Sequence, residues 1–203
     1  MSVDPSAPPP AGFLADPEVD EQVQQMYDSD RELQGYVANL TRVWAHSPEA
    51  LALLSYVLRR ATEAAGIDQA QRALLVTAAA STLGDSYCAL AWGRKLAATA
   101  GSDHAARVVA GDFDHLAAPE QALASWARRV VRDPNGTTAE QVDDLRAVGY
   151  DDRQIFAITL FVALRIAFST VNDALGAAPD AELATLVPPA LRAAVRFGRR
   201  PAA

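Results

Sequence analysis

The sequence predicts one all-α domain, and three observations predict it. Alanine and leucine dominate, and both favour helix. β-Branched runs are rare, and no stretch alternates apolar and polar residues between turn signals as a half-buried strand would. Helix start and stop signals recur along the whole chain beyond its proline-rich opening.

Residues 1–16, with Pro8, Pro9 and Pro10 in succession, read as a flexible lead-in. Residues 17–198 read as the helical domain and 199–203 as a tail. A first helical stretch is expected over 18–45, broken near Asp28–Asp30. Ser47-Pro48 supplies an N-cap with proline at the first helical position and opens a helix ended by Gly66. Asp68 with Gln71 has capping-box spacing and opens 69–82. Gly84 breaks the chain, and Asp85 caps the next helix, 86–99, which Gly101 ends. Further helices are expected over 103–111, 118–132, 138–148 and 152–176. Thr138 with Gln141 and Asp151 with Gln154 repeat the box spacing. Short helices at 180–186 and 188–197 finish the domain.

Composition removes several classes of function. At 203 residues, half of them hydrophobic and 21% charged, the chain is long and apolar enough to bury a core, which excludes disorder throughout. A net charge of −7 argues against nucleic acid, whose phosphates need a surplus of cations. One cysteine excludes an internal disulfide framework, and His46, His104 and His115 stand at no zinc spacing, so neither metal nor cofactor is expected. The apolar run Ile155–Val171 is short for a membrane span and carries Arg165 centrally, so it reads as a buried core helix. The opening residues have no basic-then-apolar signal, and the expected location is cytoplasmic.

Chemistry concentrates in Gly84-Asp85-Ser86-Tyr87-Cys88-Ala89-Leu90-Ala91-Trp92-Gly93-Arg94-Lys95. With Asp85 at the N-cap, Cys88 falls in the first helical turn, where free N–H groups and the helix dipole favour a thiolate. Asp85 on the same face opposes that, since a carboxylate disfavours a second anion. Trp92 and Lys95, the only lysine, follow on the same face. A free cysteine is also, more simply, a small buried hydrophobe.

This segment resembles the C-x-Y-C-x-x-x-H segment of the alkyl hydroperoxidase D-like, carboxymuconolactone decarboxylase superfamily. Gly66-Ile67-Asp68 and Arg72-Ala73-Leu74-Leu75 resemble its G-L-S and R-E-L-I run. Gly35 to Leu40 and Arg42 to Glu49 resemble the G-x-V-x-N and R-V-x-A-H-x-P-E stretch of its peroxidase-related subfamily. Downstream, Val142 to Gly149 resembles a v-x-x-L-R-x-x-G helix, and Phe168-Ser169-Thr170-Val171-Asn172-Asp173 resembles its F-N-x-x-N-R helix. The resemblance covers nearly everything past residue 20. It implies an all-helical fold and a homo-oligomer (trimer, hexamer or dimer), with thiol-dependent peroxidase chemistry that needs no cofactor.

The family's relay uses two cysteines, a histidine and a glutamate. Those positions here hold Asp85, Cys88, Trp92 and Ala73, so one of the four stands. A C-x-x-C disulfide cannot form. The base that makes the thiolate and protonates the leaving oxygen is absent. Asp85, or Glu63, His46 or His115 from other helices, are the conceivable substitutes. Arg165 must pair or reach water, through an ion pair with Asp173 or a partner subunit's carboxylate, or as the anchor for a small carboxylate ligand.

The expected catalytic residues are thus Cys88 and Asp85, with Trp92, Tyr87, Lys95 and Arg165 lining a substrate pocket. Three functions remain open. One is a one-cysteine thiol peroxidase recycled by an external thiol reductant. Another is a catalytically inactive oligomer serving as a binding or scaffold protein. The third is a lyase- or isomerase-like relative acting on a small carboxylic acid. Neither nucleic acid nor membrane is an expected partner.

Overall fold

The computed structural model describes residues 11–202. Positions 1–10 of the expected lead-in lie outside the described residues, as does Ala203. The order is α1 (Glu21–Gln34), α2 (Asn39–Trp44), α3 (Pro48–Ala65), α4 (Gln69–Leu83), α5 (Ser86–Ala100), α6 (Ser102–Val109), α7 (Ala118–Arg132), α8 (Ala139–Ala147), α9 (Asp152–Ala174), α10 (Ala181–Leu186) and α11 (Pro189–Ala194). A short 3-10 turn over Pro134–Gly136 joins α7 to α8, and no strand occurs among the described residues.

Local chemistry sets most boundaries. The boxes at Asp68/Gln71 and Asp151/Gln154 close in both directions, each side chain meeting the other's backbone N–H. The Thr138 N–H donates to Gln141. Two expectations are corrected. The first helix does not break near Asp28–Asp30, because Asp28 accepts from Gln24 and Arg31 along the helix surface and supports it. It stops at Gly35, whose φ of 87° is the left-handed conformation that ends helices. Ser47 makes no side-chain cap, so Pro48 alone marks that start.

The centre is a pair of helices wrapped by others. α4 and α5 pack against each other across Gly84, and α4 also touches α7, α6 and α9. Eight residues of α4, from Ala73 to Ala80, are buried in succession, so this helix has little solvent face. α9 is the one described helix long and apolar enough to cross a membrane by length and composition. It packs instead on α3, α4 and α7, burying Ile158, Phe161, Val162 and Arg165.

The first and last described segments are fastened over the same region, the Arg199 guanidinium lying 4.8 Å from the Phe13 ring. Residues 11–16 belong to the fold: the Phe13 N–H donates to Leu175 O at 2.8 Å, and Asp16 pairs with Arg42. A Cβ on Gly12 would lie 2.4 Å from Leu175 O, so only glycine permits that approach. At the other end Ser86 Oγ donates to Arg199 O at 2.7 Å, and the Ala202 N–H to Pro179 O at 2.8 Å. Gly198, at φ 67°, lies so close that a Cβ would stand 2.6 Å from Gly84 O.

Candidate functional site

The first turn of α5 builds the site. Asp85 takes the N-cap with its backbone extended (φ −77°, ψ 99°), and its Oδ1 accepts the Cys88 N–H at 2.9 Å. That N–H is one of the donors a thiolate in a first turn would otherwise attract, and the cap has already taken it. Asp85 is wholly buried, and its Oδ2 has no hydrogen-bond partner.

Cys88 is 2% exposed and lies in an apolar cluster with Trp44, Ala80, Ala89 and Phe168. One polar group from α9 reaches its sulfur: Arg165 Nη2 approaches Sγ at 3.2 Å. The balance favours the neutral form. Burial pushes the thiol up to about 12, Asp85 adds to the rise, and the opposing pull of Arg165 and Ser169 is weaker. The gap between α4 and α9 beside Arg165 and Ser169 has no room for a water molecule. This is a sealed thiol.

α9 holds the other wall. Trp44 stacks on Phe168 at 5.1 Å with planes 9° apart, and Trp44 Nε1 donates to the buried Asn172 Oδ1 at 2.8 Å. The Arg165 guanidinium lies 4.6 Å from the Phe168 ring and 5.4 Å from Trp92. Arg165 is 6% exposed, and its Nε finds no acceptor. The expected ion pair with Asp173 does not form. The tail reaches the Asp173 backbone, where Arg199 Nη2 donates to the carbonyl oxygen at 2.9 Å. Burial lifts the Asp173 carboxyl to about 6, Asp85 adds to the rise, and Arg199 opposes it.

Around Trp92 the cations gather. Lys95 Nζ lies 4.2 Å and the Arg72 guanidinium 4.9 Å from its ring. Neither makes an ion pair or hydrogen bond among the described residues, and Arg72 Nε is buried without a partner. Arg72 is held below its ordinary value by burial and then by Arg165. Lys95 is lowered by burial and then by Arg72, Arg165 and Arg94.

Not all the sequence-predicted residues converge. Cys88, Asp85, Trp92, Lys95 and Arg165 do. Tyr87 does not, because it is buried with its hydroxyl donating to Asp180, which also accepts the Asn39 N–H at 2.8 Å. Tyr87 ties α5 to the segment before α10 and lines no pocket with Cys88. The substitute bases are elsewhere as well. Glu63 is exposed and paired with Arg59 at 3.0 Å and Arg60 at 2.5 Å. His46 contacts Ala15 O at 3.0 Å, and His115 packs edge-on against His104 at 4.7 Å. Arg72, Ser169 and Asn172 escaped the sequence reading as site residues. Arg72 carried one signal, its place directly before Ala73, the position that resembles the family's glutamate. No group of three or more potential ligands able to hold a metal occurs among the described residues. A separate groove of about 580 Å³ lies between α1, α2 and α3, lined in part by Met26, Asp30, Thr41, Glu49 and Leu51, and Cys88 takes no part in it.

No family model matches the chain, and no curated protein matches it. Solved structures do. One is an alkylhydroperoxidase AhpD core, a peroxidase-related protein from Ralstonia eutropha JMP134. It is 18% identical over 86% of this chain and 95% of its own, with a TM-score of 0.73. A peroxidase-related protein from Silicibacter sp. TM1040 is 20% identical over 89% and 97%, at 0.74. The debrominase Bmp8, in complex with 2,3,4-tribromopyrrole, is 15% identical over 82% and 89%, at 0.66. Element order, packing and these likenesses agree: the chain has the all-helical fold of the alkylhydroperoxidase AhpD core and the peroxidase-related proteins that share it.

Proposed function

We propose that this chain is a ligand-binding protein built on the alkylhydroperoxidase-like fold, and that it does not turn over peroxide. The observation that carries the reading is the state of Cys88: 2% exposed, its thiol raised to about 12, its first-turn N–H already bonded to Asp85. Peroxide attack needs a thiolate and a donor for the leaving oxygen. Ala73, Asp85 and Trp92 occupy the positions that resemble the relay, and no other base among the described residues hydrogen-bonds the sulfur. Fold alone does not supply the chemistry. The neighbour that holds a small brominated ring supports the idea that this scaffold accommodates ligands. Exposed Leu53 and Tyr56 on α3 and Phe156 on α9 support assembly with further copies of the chain.

A second reading has one observation in its favour, Arg165 Nη2 at 3.2 Å from Cys88 Sγ. On opening of the site, that cation would stabilise a thiolate. The thiolate would take one oxygen from a hydroperoxide, giving a sulfenic acid and an alcohol. Two equivalents of an external thiol would then restore Cys88, releasing water and a disulfide. The lyase-like reading loses its motive, because the carboxylate meant as its base caps a helix.

Intact mass after a small excess of hydroperoxide, with a sulfenic acid trap and Cys88→Ser as control, separates the two. The binding reading expects no trapped adduct over hours on folded protein. Rapid stoichiometric trapping at Cys88 would replace it with the one-cysteine peroxidase.

A further inference from the structure

Three cations crowd one tryptophan without a single carboxylate among them. Arg72 from α4, Lys95 from α5 and Arg165 from α9 lie 4.9, 4.2 and 5.4 Å from the Trp92 ring. The protein is acidic, with 25 carboxylates against 18 cations, and among the described residues other arginines pair with carboxylates in at least eight contacts. That none of these three pairs with a carboxylate among the described residues is therefore no consequence of a shortage of carboxylates. The cost is visible in the structure. Arg165 is 6% exposed with Nε lacking an acceptor, and Arg72 Nε is buried in the same condition. A tryptophan face attracts cations and relieves part of their mutual repulsion, but it accepts no hydrogen bond in the guanidinium plane. What is missing is an acceptor with two or more oxygens and negative charge.

We propose that Arg72, Lys95 and Arg165 around Trp92 form a binding site for the oxyanion end of a small molecule, a carboxylate or a phosphoryl group. Two guanidinium groups suit such a group because each offers parallel N–H donors matched to paired oxygens. Lys95, exposed at the rim, adds a mobile point charge that reaches an arriving anion first. Trp92 orients the cations and supplies an apolar wall for the rest of the ligand. The inference rests on the binding reading above and names its ligand class. It also assigns a use to the position that resembles the relay histidine: an aromatic there gathers cations where a histidine would move a proton.

The test is titration of the full-length protein with sodium benzoate and, separately, inorganic phosphate, at constant ionic strength set with chloride. The Trp92 indole N–H signal in a two-dimensional NMR spectrum is the reporter. Saturable shifts with either anion, absent with benzyl alcohol and chloride, are expected. Affinity should fall at least tenfold in Lys95→Met and in Arg72→Gln, both of which keep the fold because neither side chain makes an ion pair or hydrogen bond among the described residues. Whichever anion saturates first identifies the carboxylate or the phosphoryl class. No saturable shift with either anion, equal shifts with chloride, or unchanged affinity in both variants would overturn the site. The peroxide experiment fails independently. Saturable binding together with rapid sulfenic acid trapping sinks the binding reading and keeps the anion site. Silence toward both sinks the anion site and leaves Cys88 inert.

Discussion

The two ends of α5 handle polar groups in opposite ways. In its first turn the polar groups are bonded, Asp85 Oδ2 excepted: Asp85 Oδ1 to the Cys88 N–H, Ser86 to the Arg199 carbonyl, Tyr87 to Asp180, Cys88 to Arg165. One and two turns on, around Trp92 and Lys95, Arg72 Nε and Arg165 Nε are buried without acceptors, and Lys95 makes no ion pair among the described residues. Buried groups without partners are costly, and a fold keeps them where something else repays the cost. The saturated turn is therefore read as structure and the unsaturated face as the place where a ligand completes the molecule. The motif cysteine belongs to the structural end.

The largest effect should come from breaking the wall behind the saturated turn. Trp44→Ala removes the stack on Phe168 and strands Asn172 Oδ1, an expected loss of about 3–5 kcal/mol in urea unfolding. Next, Gly198→Ala sets a Cβ 2.6 Å from Gly84 O at a positive φ. Its expected cost is about 1–3 kcal/mol, with faster proteolysis of the tail over Ser86. On the unsaturated face the opposite sign is expected. Arg165→Met strands no carboxylate, so its stability should stay within about 1 kcal/mol of the parent or rise. A loss of several kcal/mol there would mean that the cation is paired in the assembled protein.

The smallest effect is a pH slope. Asp173 titrates at about 6 when folded against an ordinary 3.8. Between those values the folded protein holds a proton that the unfolded chain has released. Its contribution to stability is thus fully present below 3.8 and is lost as pH rises through about 6. Asp173→Asn should flatten that part of the stability profile. A slope unchanged in the variant would locate the proton elsewhere.

Much of this was legible from local chemistry. Asp68/Gln71 and Asp151/Gln154 announced helix starts because capping depends on neighbours three residues apart. Cys88 and Arg165 stood out singly, one as the only thiol and the other as a charge in an apolar run. That they touch was not legible, since 77 residues separate them and only the packing of α9 near the first turn of α5 brings them together. The ion pair expected between Arg165 and Asp173 does not form, because eight residues along α9 set the two about 12 Å apart in rise. Tyr87 looked like a pocket residue because it adjoins Cys88, yet one step along a helix turns a side chain about 100° away, here to Asp180. Arg72 was hidden in a helix buried almost all round, where a polar residue at the edge gives no periodic signal.

The central claim is that the thiol end of α5 is closed, and the rate of Cys88 alkylation measures it most directly. Iodoacetamide should modify folded protein at least a hundredfold more slowly than urea-unfolded protein at pH 7.5, a difference of about 2.7 kcal/mol in access and acidity together. The folded rate should still be climbing at pH 10, as a thiol titrating at about 12 requires. A folded rate equal to the unfolded one, levelling off below pH 8, would show an open thiolate and contradict the account.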